Sequence, residues 1–416
     1  MQIDTIKELL RLPAGWIVTR VIGWCSQELH VGIEEVMVED QKCVGCGISG
    51  YKGCKGSFEV IVEDLPLIDR RVYLHIQHRR YRCQGCKKSW SLKIPWVKME
   101  SRMTKRCAQK VFRLTAITTN QEAGWYLGFD DEKVYRIDKA ILEEEFRKRL
   151  VPTPASKNIS VDEVAWKKHH RYLTNVVDVD EKVVTWNEKG RKSEVLNRYY
   201  ESIGEENCQA IETVALDGAR TYISSTTNYA VNALIVLDRF HATQKVSKAL
   251  DQVRRDELSK ARKNNNEELI ELTNCKQRFI LLKNKANLSE KQSITLSRLC
   301  EMNHFIYKAM LLKESFVGVY DLKDENDAID YIYGWIDQAL ESGLPAFAEI
   351  GWSMVDKIEY VLNWFRCKRS SAISEGFNNK IKRLKRMAYG YKDINYFKLK
   401  IHQHCGYLNP RRFNLN

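Results

Sequence analysis

Two pairs of cysteines have the spacing of metal ligands: Cys43 and Cys46 in CVGCG, and Cys83 and Cys86 in CQGC. Within each pair two residues lie between the cysteines, so one tight turn can direct both thiolates to the same ion. Four thiolates in a tetrahedron form a closed structural zinc site. Two alternatives remain open: Cys54 competes as a ligand, or the four cysteines are buried apolar side chains without a metal.

Three carboxylates lie where predicted strands and helices end or begin. Asp162 lies in a predicted strand, Asp217 ends another in TVALDGAR, and Glu375 opens a helix in SAISEGFNN. Carboxylate oxygens suit Mg²⁺, which keeps open positions for water and phosphate oxygens. Two such ions about 4 Å apart can activate the attacking oxygen and stabilise the leaving oxygen of a phosphodiester displacement.

Other acids compete for this role, because the chain has 54 acidic residues. Glu163, Asp178 and Asp180 are the rivals nearest in sequence. The segment VVDVDEK, which holds two of them, is more typical of a strand end followed by a turn. The three chosen carboxylates lie far apart along the chain, so a specific fold must bring them together.

Positive charge is concentrated in two blocks. The chain has 67 basic and 54 acidic residues. Residues 41–113 hold 17 basic and 5 acidic residues, and residues 366–412 hold 13 and 2. Concentrated Lys and Arg neutralise phosphates and release counterions, which favours nucleic-acid binding. The alternative is ordinary solvated surface charge.

The composition indicates a folded, multidomain protein. The chain has 416 residues, of which 44% are hydrophobic and only 7 are Pro. No stretch approaches the roughly 18 apolar residues of a membrane helix, and the first residues lack a basic signal-peptide start. Paired C-x-x-C motifs favour metal binding in a reducing compartment over disulfides. We therefore expect a soluble cytoplasmic protein that has no membrane partner.

The N-terminal third predicts a β-rich unit followed by three helices. After a short helix from Asp4 to Leu10, the alternating segments WIVTRVIGW, LHVGIEEVMV, FEVIVEDL and VYLHIQHRRYRC predict hairpins. Helical spacing then dominates residues 100–150. Asn120 to Leu127 precedes a helix that begins near Asp130 or Asp131, as in a helix-turn-helix. Four apolar residues at this joint are predicted to be core: Trp125, Tyr126, Leu127 and Phe129.

After the proline-containing linker VPTPAS, three consecutive strand patterns are followed by alternating helices and strands. This order is that of an RNase H-like mixed sheet, an α/β fold with both faces covered. Residues 245 to about 360 have only helical periodicity, and a basic helix then returns to the sheet.

The predicted fold class is thus multidomain α+β, divided into five segments. They are a zinc-binding β unit at 1–98, a helix-turn-helix at 99–150, an RNase H-like α/β catalytic core at 156–244, a helical insertion at 245–362, and the rest of the core with a basic C-terminus at 363–416.

Four motifs in this order resemble the landmarks of the ISL3-family insertion-sequence transposases, a branch of the DDE enzymes. They are VDEVAWKKHHRYLTNVVDVD, ALDGAR, VLDRFHATQKVSKALDQVRR and SEGFNNKIKRLKRMAYGY. The resemblance covers nearly the whole chain. That family has a four-cysteine zinc domain, a helix-turn-helix, and an RNase H-like catalytic domain interrupted by helices, which is the order predicted above.

The resemblance implies that Asp162, Asp217 and Glu375 are the catalytic triad that holds two Mg²⁺ or Mn²⁺ ions, with Glu163 a neighbour. Asp238-Arg-Phe-His241 matches the D-x-x-H element of related transposases. This match implies a supporting role for His241 in catalysis. It also makes Asp238 the alternative metal ligand if Asp217 is misassigned. Ser370-Ser371-Ala372 departs from the Thr/Ser-Asn pair of many relatives, which puts any contact made by that Asn in doubt.

The helix after Glu375 carries the predicted DNA-backbone contacts. Asn378, Lys382, Arg383 and Arg386 recur on about one helical face from Glu375. The full predicted DNA-binding set is Lys380, Lys382, Arg383, Lys385 and Arg386. An ordinary solvated basic helix is the alternative.

The implied function is that of a DNA transposase. It would bind the terminal inverted repeats of its element, cleave a strand there and join the end to target DNA, both steps depending on divalent metal. We expect a homo-oligomer on double-stranded DNA, in a bacterial-type cytoplasm at the nucleoid. The alternatives are an RNase H-like junction or repair nuclease, and a noncatalytic DNA-binding regulator derived from a transposase.

Overall fold

The computed structural model describes residues 3–25, 27–36, 42–48, 54–91, 93–149, 156–167, 171–237, 239–275, 277–283, 287–368 and 372–411. The chain forms two compact units. The first contains Met1–Leu150, Asp393–His404 and Leu408–Asn416, and the second contains Val151–Lys392 and Cys405–Tyr407.

The first unit begins with a helix and a β-sheet. Helix α1 is Ile3–Leu10. The strands are β1 (Trp16–Trp24), β2 (Glu28–Glu35), β3 (Cys54–Leu67), β4 (Arg70–Arg82), β5 (Ser89–Ser91), β6 (Val97–Lys98) and β7 (Met103–Thr104). In the described part, their order is β1-β2-β4-β3-β7-β6, with β5 on β4. The predicted hairpins are confirmed, because β1 pairs with β2 and β3 with β4, both antiparallel.

One face of this sheet forms the core of the β unit. Along β4, Val72, Leu74 and Ile76 alternate inward and are fully buried. They pack with Leu29, Val31 and Ile33 of β2, and α1 contributes Ile6 and Leu10 to the same cluster. The alternation of apolar residues that predicted these strands therefore reflects one buried face and one polar face.

Three helices follow: α2 (Lys105–Thr115), α3 (Asn120–Leu127) and α4 (Asp131–Arg149). Thr119 and Glu122 form a capping box that starts α3, and Gly128 ends it with a φ of +71°. A tight joint that contains Gly128 therefore connects α3 to the next helix.

Two of the four residues predicted to be core at this joint are not. Leu127 and Phe129 are buried, but Trp125 is 85% exposed and Tyr126 is 64% exposed. The prediction was wrong for these two because α3 has only two turns. Ala123, Gly124 and Leu127 fill its inner face, so the intervening positions 125 and 126 point outward.

The second unit contains a mixed sheet. Its strands are β8 (Asn158–Lys167), β9 (Arg171–Asp178), β10 (Val183–Lys189), β11 (Thr213–Leu216) and β12 (Leu234–Leu237). Among the described strands, the order is β10-β9-β8-β11-β12. The first three are antiparallel to one another, whereas β11 is parallel to both β8 and β12.

Helices cover both faces of this sheet, as the sequence predicted. The helices between strands are α5 (Ser193–Ile203), α6 (Glu205–Gln209) and α7 (Arg220–Tyr229). Tyr199 and Tyr222 from this group pack on Ile159 and Val161 of β8. Because side chains alternate along a strand, Ser160 and Asp162 face the opposite side.

One predicted strand is shorter than expected. The pattern CQAIETVALD predicted a strand from Cys208, but α6 continues to Gln209 and β11 begins at Thr213. Buried Cys208 and Ile211 supplied the apolar pattern, and they pack in the same cluster as the sheet. Apolar residues of a short buried helix and of a strand have the same signature over so few positions.

A long helical segment follows β12. It contains α8 (Arg239–Lys263), α9 (Glu267–Thr273), α10 (Arg278–Leu282), α11 (Glu290–Met302), α12 (His304–Gly318), α13 (Glu325–Glu341), α14 (Pro345–Val355) and α15 (Ile358–Cys367). These helices share a core that includes Trp335, Phe316 and Phe347. No helix in the described ranges is long and apolar enough to cross a membrane.

Two helices complete the chain, α16 (Ala372–Met387) and α17 (Ile394–Cys405). Helix α16 packs on β8 in the second unit. Most of α17 belongs to the first unit, where Tyr396 and Lys400 reach the fully buried Asp138 of α4. The segment drawn from the sequence at 363–416 is therefore divided between the two units, because this buried polar cluster anchors α17 to α2 and α4.

Candidate functional site

The four predicted zinc ligands converge in the first unit. The Sγ atoms of Cys43 and Cys86 are 3.6 Å apart, and those of Cys46 and Cys83 are 3.5 Å apart. All four lie within 4.8 Å of one another. Zinc–thiolate bonds of about 2.3 Å in a tetrahedron place sulfurs about 3.8 Å apart. The donor set and its spacing therefore fit a zinc ion.

Each cysteine turn directs a backbone N–H group to the first sulfur of its pair. Gly45 N donates to Cys43 Sγ at 3.3 Å, and Cys86 N donates to Cys83 Sγ at 3.4 Å. A Cβ added at Gly45 would lie 3.3 Å from Cys86 Sγ, so a larger residue would crowd the cluster. The rival ligand Cys54 begins β3, and its side chain lies outside the described residues.

The electrostatics of the cluster favour a thiolate at Cys43. Desolvation by burial opposes its ionisation, but hydrogen bonds from the backbone N–H groups of Gly45 and Cys46 lower the pKa of Cys43 to about 6. In the same cluster, burial and the neighbouring thiols outweigh a backbone hydrogen bond at Lys88 and raise the pKa of Cys86 to about 11. Cys43 thus favours the thiolate form, which a cation in the cluster would neutralise.

In the second unit, β11 runs beside the strand that carries Asp162 and ends at Leu216, immediately before Asp217. The parallel pairs of β8 and β11 run from Asn158↔Thr213 to Ser160↔Ala215. Val214 and Leu216 point to the side of Ile159 and Val161. Asp217 follows them in the turn after β11, and its negative charge adds to the effect of burial in raising the pKa of Glu163.

Asp162 is held on three sides. Asn378 Nδ2 of α16 donates to its Oδ2 at 2.7 Å, and its Oδ1 accepts from Glu163 N at 2.6 Å. His241 Nε2, on α8, lies 3.6 Å from Oδ2. The carboxylate remains 14% exposed, so it is oriented by its partners and still accessible.

Asp217 lies in a turn that requires glycine. Its Oδ1 accepts from Ala219 N at 2.8 Å, and Gly218 between them has a φ of +80°. A Cβ at Gly218 would lie 2.5 Å from Leu237 Cδ1, which is closer than atoms can approach. A residue with a Cβ at 218 would be strained at this φ and would require the Leu237 side chain to move.

Glu375 lies in the first turn of α16, and its side chain is half-buried. Asn378 is three residues further on, so the two lie on neighbouring positions of one helical face. The contact from Asn378 to Asp162 therefore directs the Glu375 end of α16 toward β8.

The three carboxylates are more widely spaced than the cysteines. Across the part of the chain that the structure describes, only the four cysteines place three or more Cys, His, Asp or Glu ligand atoms all within 4.8 Å of one another.

The other acids considered as metal ligands either make structural hydrogen bonds or lie away from the Asp162 face of the sheet. Glu163 faces the α5–α7 side of the sheet, where burial raises its pKa and Tyr222 hydrogen-bonds it. Asp178 Oδ1 accepts from the N–H groups of Asp180 and Glu181 in the turn after β9. Asp180 in turn accepts from Asn158. Asp238, the substitute for Asp217, lies outside the described residues.

The basic face of α16 is largely exposed. Lys380, Lys382, Arg383 and Arg386 are exposed, while Ile381 and Leu384 pack inward. Lys385 differs, because its Nζ donates to Ala165 O on β8 at 2.7 Å. Burial and the nearby Lys382 and Arg386 lower the pKa of Lys385.

Sequence reasoning missed the role of Asn378 and two lysines beside Asp217. Asn378 was placed on the DNA-facing side of α16, but it is 5% exposed and contacts Asp162 instead. Its position three residues after Glu375 was a signal that it could share the acidic site. Lys245 and Lys357 come from the helical segment, and no local pattern connected them with Asp217.

Comparisons with known proteins identify the family. The family model for ISL3 DDE transposases, described as "Transposase", matches residues 159–401. The chain is 30% identical over 341 residues to the transposase for insertion sequence element IS1001 of Bordetella parapertussis, covering 82% of this chain and 83% of that protein. It is 29% identical over 258 residues to the transposase for insertion sequence element IS1557 of Mycobacterium tuberculosis, covering 57% of each. The chain belongs to the ISL3 family of DDE transposases.

Proposed function

We propose that this transposase binds the terminal inverted repeats of its insertion sequence and catalyses strand cleavage and strand transfer into target DNA. The observation that carries the proposal is the hydrogen bond from Asn378 of α16 to Asp162 of β8. It ties the helix whose first turn holds Glu375 to the strand that carries Asp162, and that strand pairs with β11, which ends just before Asp217.

The active site would be an RNase H-like one in which Asp162, Asp217 and Glu375 hold two Mg²⁺ or Mn²⁺ ions. Their carboxylate oxygens have the chemistry these ions prefer. When bound, the ions would supply positive charge to the phosphate oxygens that gain charge during displacement. Asn378 fixes the rotamer of Asp162, and His241 lies near enough to orient the same carboxylate or the substrate strand.

The reaction would have two similar steps. Water first cleaves a phosphodiester at the element end and leaves a 3′-hydroxyl. That hydroxyl then attacks a phosphodiester of the target, so one bond is exchanged for another without a covalent protein intermediate. The protein's contribution is to hold the attacking and leaving oxygens in line.

DNA recognition would fall to the first unit and to α16. Helices α2 to α4 have the order of a helix-turn-helix, with Arg136 exposed on α4. The four cysteines would hold a structural zinc ion that stabilises the adjoining β unit. The exposed cations of α16, Lys380, Lys382, Arg383 and Arg386, would contact the backbone near the carboxylates. Pairing of two element ends would require a homo-oligomer on DNA, acting at the nucleoid in the cytoplasm.

The test combines purified protein, a labelled element end, a target plasmid and Mg²⁺. Joined product is expected from the native chain and not from Asp217→Asn. Glu212→Gln is the matched control, because Glu212 lies near the same strand, is exposed and pairs with Lys157. Cleavage without joining would instead indicate a nuclease. Binding without cleavage would indicate a regulator.

A further inference from the structure

Three cations from separate elements surround the Asp217 turn. Arg220 opens α7, Lys245 lies on α8, and Lys357 precedes α15. Lys245 Nζ donates to Asp217 O at 3.3 Å. The side chain of Lys357 runs past the turn, with its Cδ 3.8 Å from where a Cβ at Gly218 would lie.

Acidic residues of the protein neutralise the positive charge of these three cations only in part. Arg220 pairs with Asp356 at 3.1 Å, and both are exposed. Lys357 Nζ donates to the neutral Ser353 Oγ at 3.1 Å. Burial lowers the pKa of Lys357, and repulsion from Lys245 and Arg220 lowers it further. Asp217 is the other acid that acts on Lys357, and in the proposed function its charge is engaged by metal.

We propose that Lys245, Lys357 and Arg220 form a binding site for a backbone phosphate of the DNA strand, next to the phosphate that reacts at the carboxylates. A phosphate matches the cluster because it brings diffuse negative charge and several acceptor oxygens to three cations that repel one another. The site rests on the proposed function and extends it. It makes the helical segment after β12 part of the DNA-binding surface, since two of the three cations come from it.

The geometry also gives the site a positioning role. Lys245 contacts the backbone of Asp217 while its ammonium retains further donors. A phosphate held by this cluster would fix the strand relative to Asp217, so that the scissile bond enters the active site in register. Arg220 is the outermost of the three, at 86% side-chain exposure, and the free end of its guanidinium can follow the strand.

The test measures DNA affinity as a function of salt, without added divalent metal, for the double variant Lys245→Ala/Lys357→Ala. Each lost phosphate contact lowers the slope of log K against log salt by about 0.9 on duplex DNA. Because the cluster binds one phosphate, the slope should therefore fall by about one unit. Affinity should fall roughly tenfold for each lysine removed. Because phosphate contacts carry no sequence information, the loss should be equal for the element end and for a duplex of unrelated sequence.

Two controls separate charge from folding. Lys248→Ala removes an exposed lysine three residues along α8 and should leave the slope unchanged. Lys245→Arg/Lys357→Arg keeps both charges and should retain most of the slope. A double alanine variant with a native slope and native cleavage would overturn the phosphate site and leave the proposed function intact. If the native chain does not cleave, the proposed function fails, and the slope still decides the phosphate site by itself.

Discussion

Asn378 Nδ2 donates a hydrogen bond of 2.7 Å to Oδ2 of Asp162, although 216 residues separate them. The same amide lies 3.3 Å from Glu163 O, so it contacts both the side chain and the backbone of β8. One polar side chain on α16 thereby joins the helix that begins near Glu375 to the strand that carries Asp162. The arrangement of two of the three proposed metal ligands depends on it.

Substitution of Asn378 should therefore impair catalysis more than DNA binding. Asn378→Ala frees the Asp162 carboxylate to rotate, and loss of such a partner of a metal ligand typically costs 10- to 100-fold in metal affinity or activity. The measurement is strand cleavage at several Mg²⁺ concentrations. Asn379→Ala, at the exposed neighbouring position, is the control. Equal activity of the two variants would show that Asn378 does not position the ligand.

The adjacent carboxylates of Asp162 and Glu163 should respond differently to neutralisation. Asp162→Asn should abolish cleavage, since its side chain faces Asn378 and His241. Glu163→Gln should retain most activity because Glu163 faces the other side of the sheet and can still hydrogen-bond Tyr222. Both variants should fold. If Glu163→Gln were inactive and Asp162→Asn active, the face assigned to the site would be the wrong one.

Zinc removal should loosen the β unit. Cys83→Ser should lower the bound zinc measured by atomic absorption and lower the unfolding temperature of the first unit, since structural zinc contributes folding free energy. Protons compete with the metal for the thiolates, so zinc affinity should weaken as the pH falls, and most steeply below about 6, where Cys43 also becomes protonated. Cys25→Ser, an exposed cysteine of the same unit, should retain the metal. Full zinc content in Cys83→Ser would contradict the four-thiolate assignment.

The buried pair of Asp138 and Lys400 should stabilise the first unit. Asp138 is fully buried, and Lys400 Nζ lies 3.2 Å from its Oδ2. Lys400→Met leaves an uncompensated buried carboxylate, which typically costs about 3–5 kcal/mol. Urea denaturation is the measurement, with Lys110→Met on the exposed side of α2 as the control. A change of only a few tenths of a kcal/mol would mean that the pair contributes nothing to stability.

Acid should weaken the first unit through Asp393. Burial opposes its ionisation, but Lys139, Tyr135 and two backbone N–H groups lower its pKa to about 2. An unfolded aspartate has a pKa of about 3.9, so the stabilisation is complete above about pH 4 and disappears as the pH falls through about 2. It should amount to on the order of 1–2 kcal/mol. Asp393→Asn should abolish this pH dependence, and Glu8→Gln on α1 should preserve it.

The parts of the fold that the sequence predicted are those that depend on local patterns. Alternation identified the strands of both sheets, and C-x-x-C spacing identified Cys43, Cys46, Cys83 and Cys86, because both signals lie within a few residues. The start of β11 was misjudged, since a short buried helix has the same apolar pattern. Trp125 and Tyr126 were misjudged because α3 is too short to bury two faces.

The contacts of the carboxylate site could not be predicted from the sequence, because they join residues that are far apart along the chain. Register between β8 and β11 is set by pairing across the sheet, and nothing local to Asp217 records it. The contacts of Asn378 with Asp162 and of Lys357 with the Asp217 turn depend on how whole helices dock. Likewise, a basic pattern over 366–412 gave no indication that Lys400 would be buried against Asp138.

Helix α17 makes the first unit discontinuous, and this affects how the protein is synthesised. Domains usually fold as they leave the ribosome, N-terminal parts first. Here Asp138 leaves the ribosome long before Lys400, because the second unit lies between them in the sequence. The Asp138 carboxylate therefore stays hydrated until Lys400 has been translated. A chain released early by a frameshift would carry the cysteines and α2 to α4 but lack the helix that packs against α2 and α4.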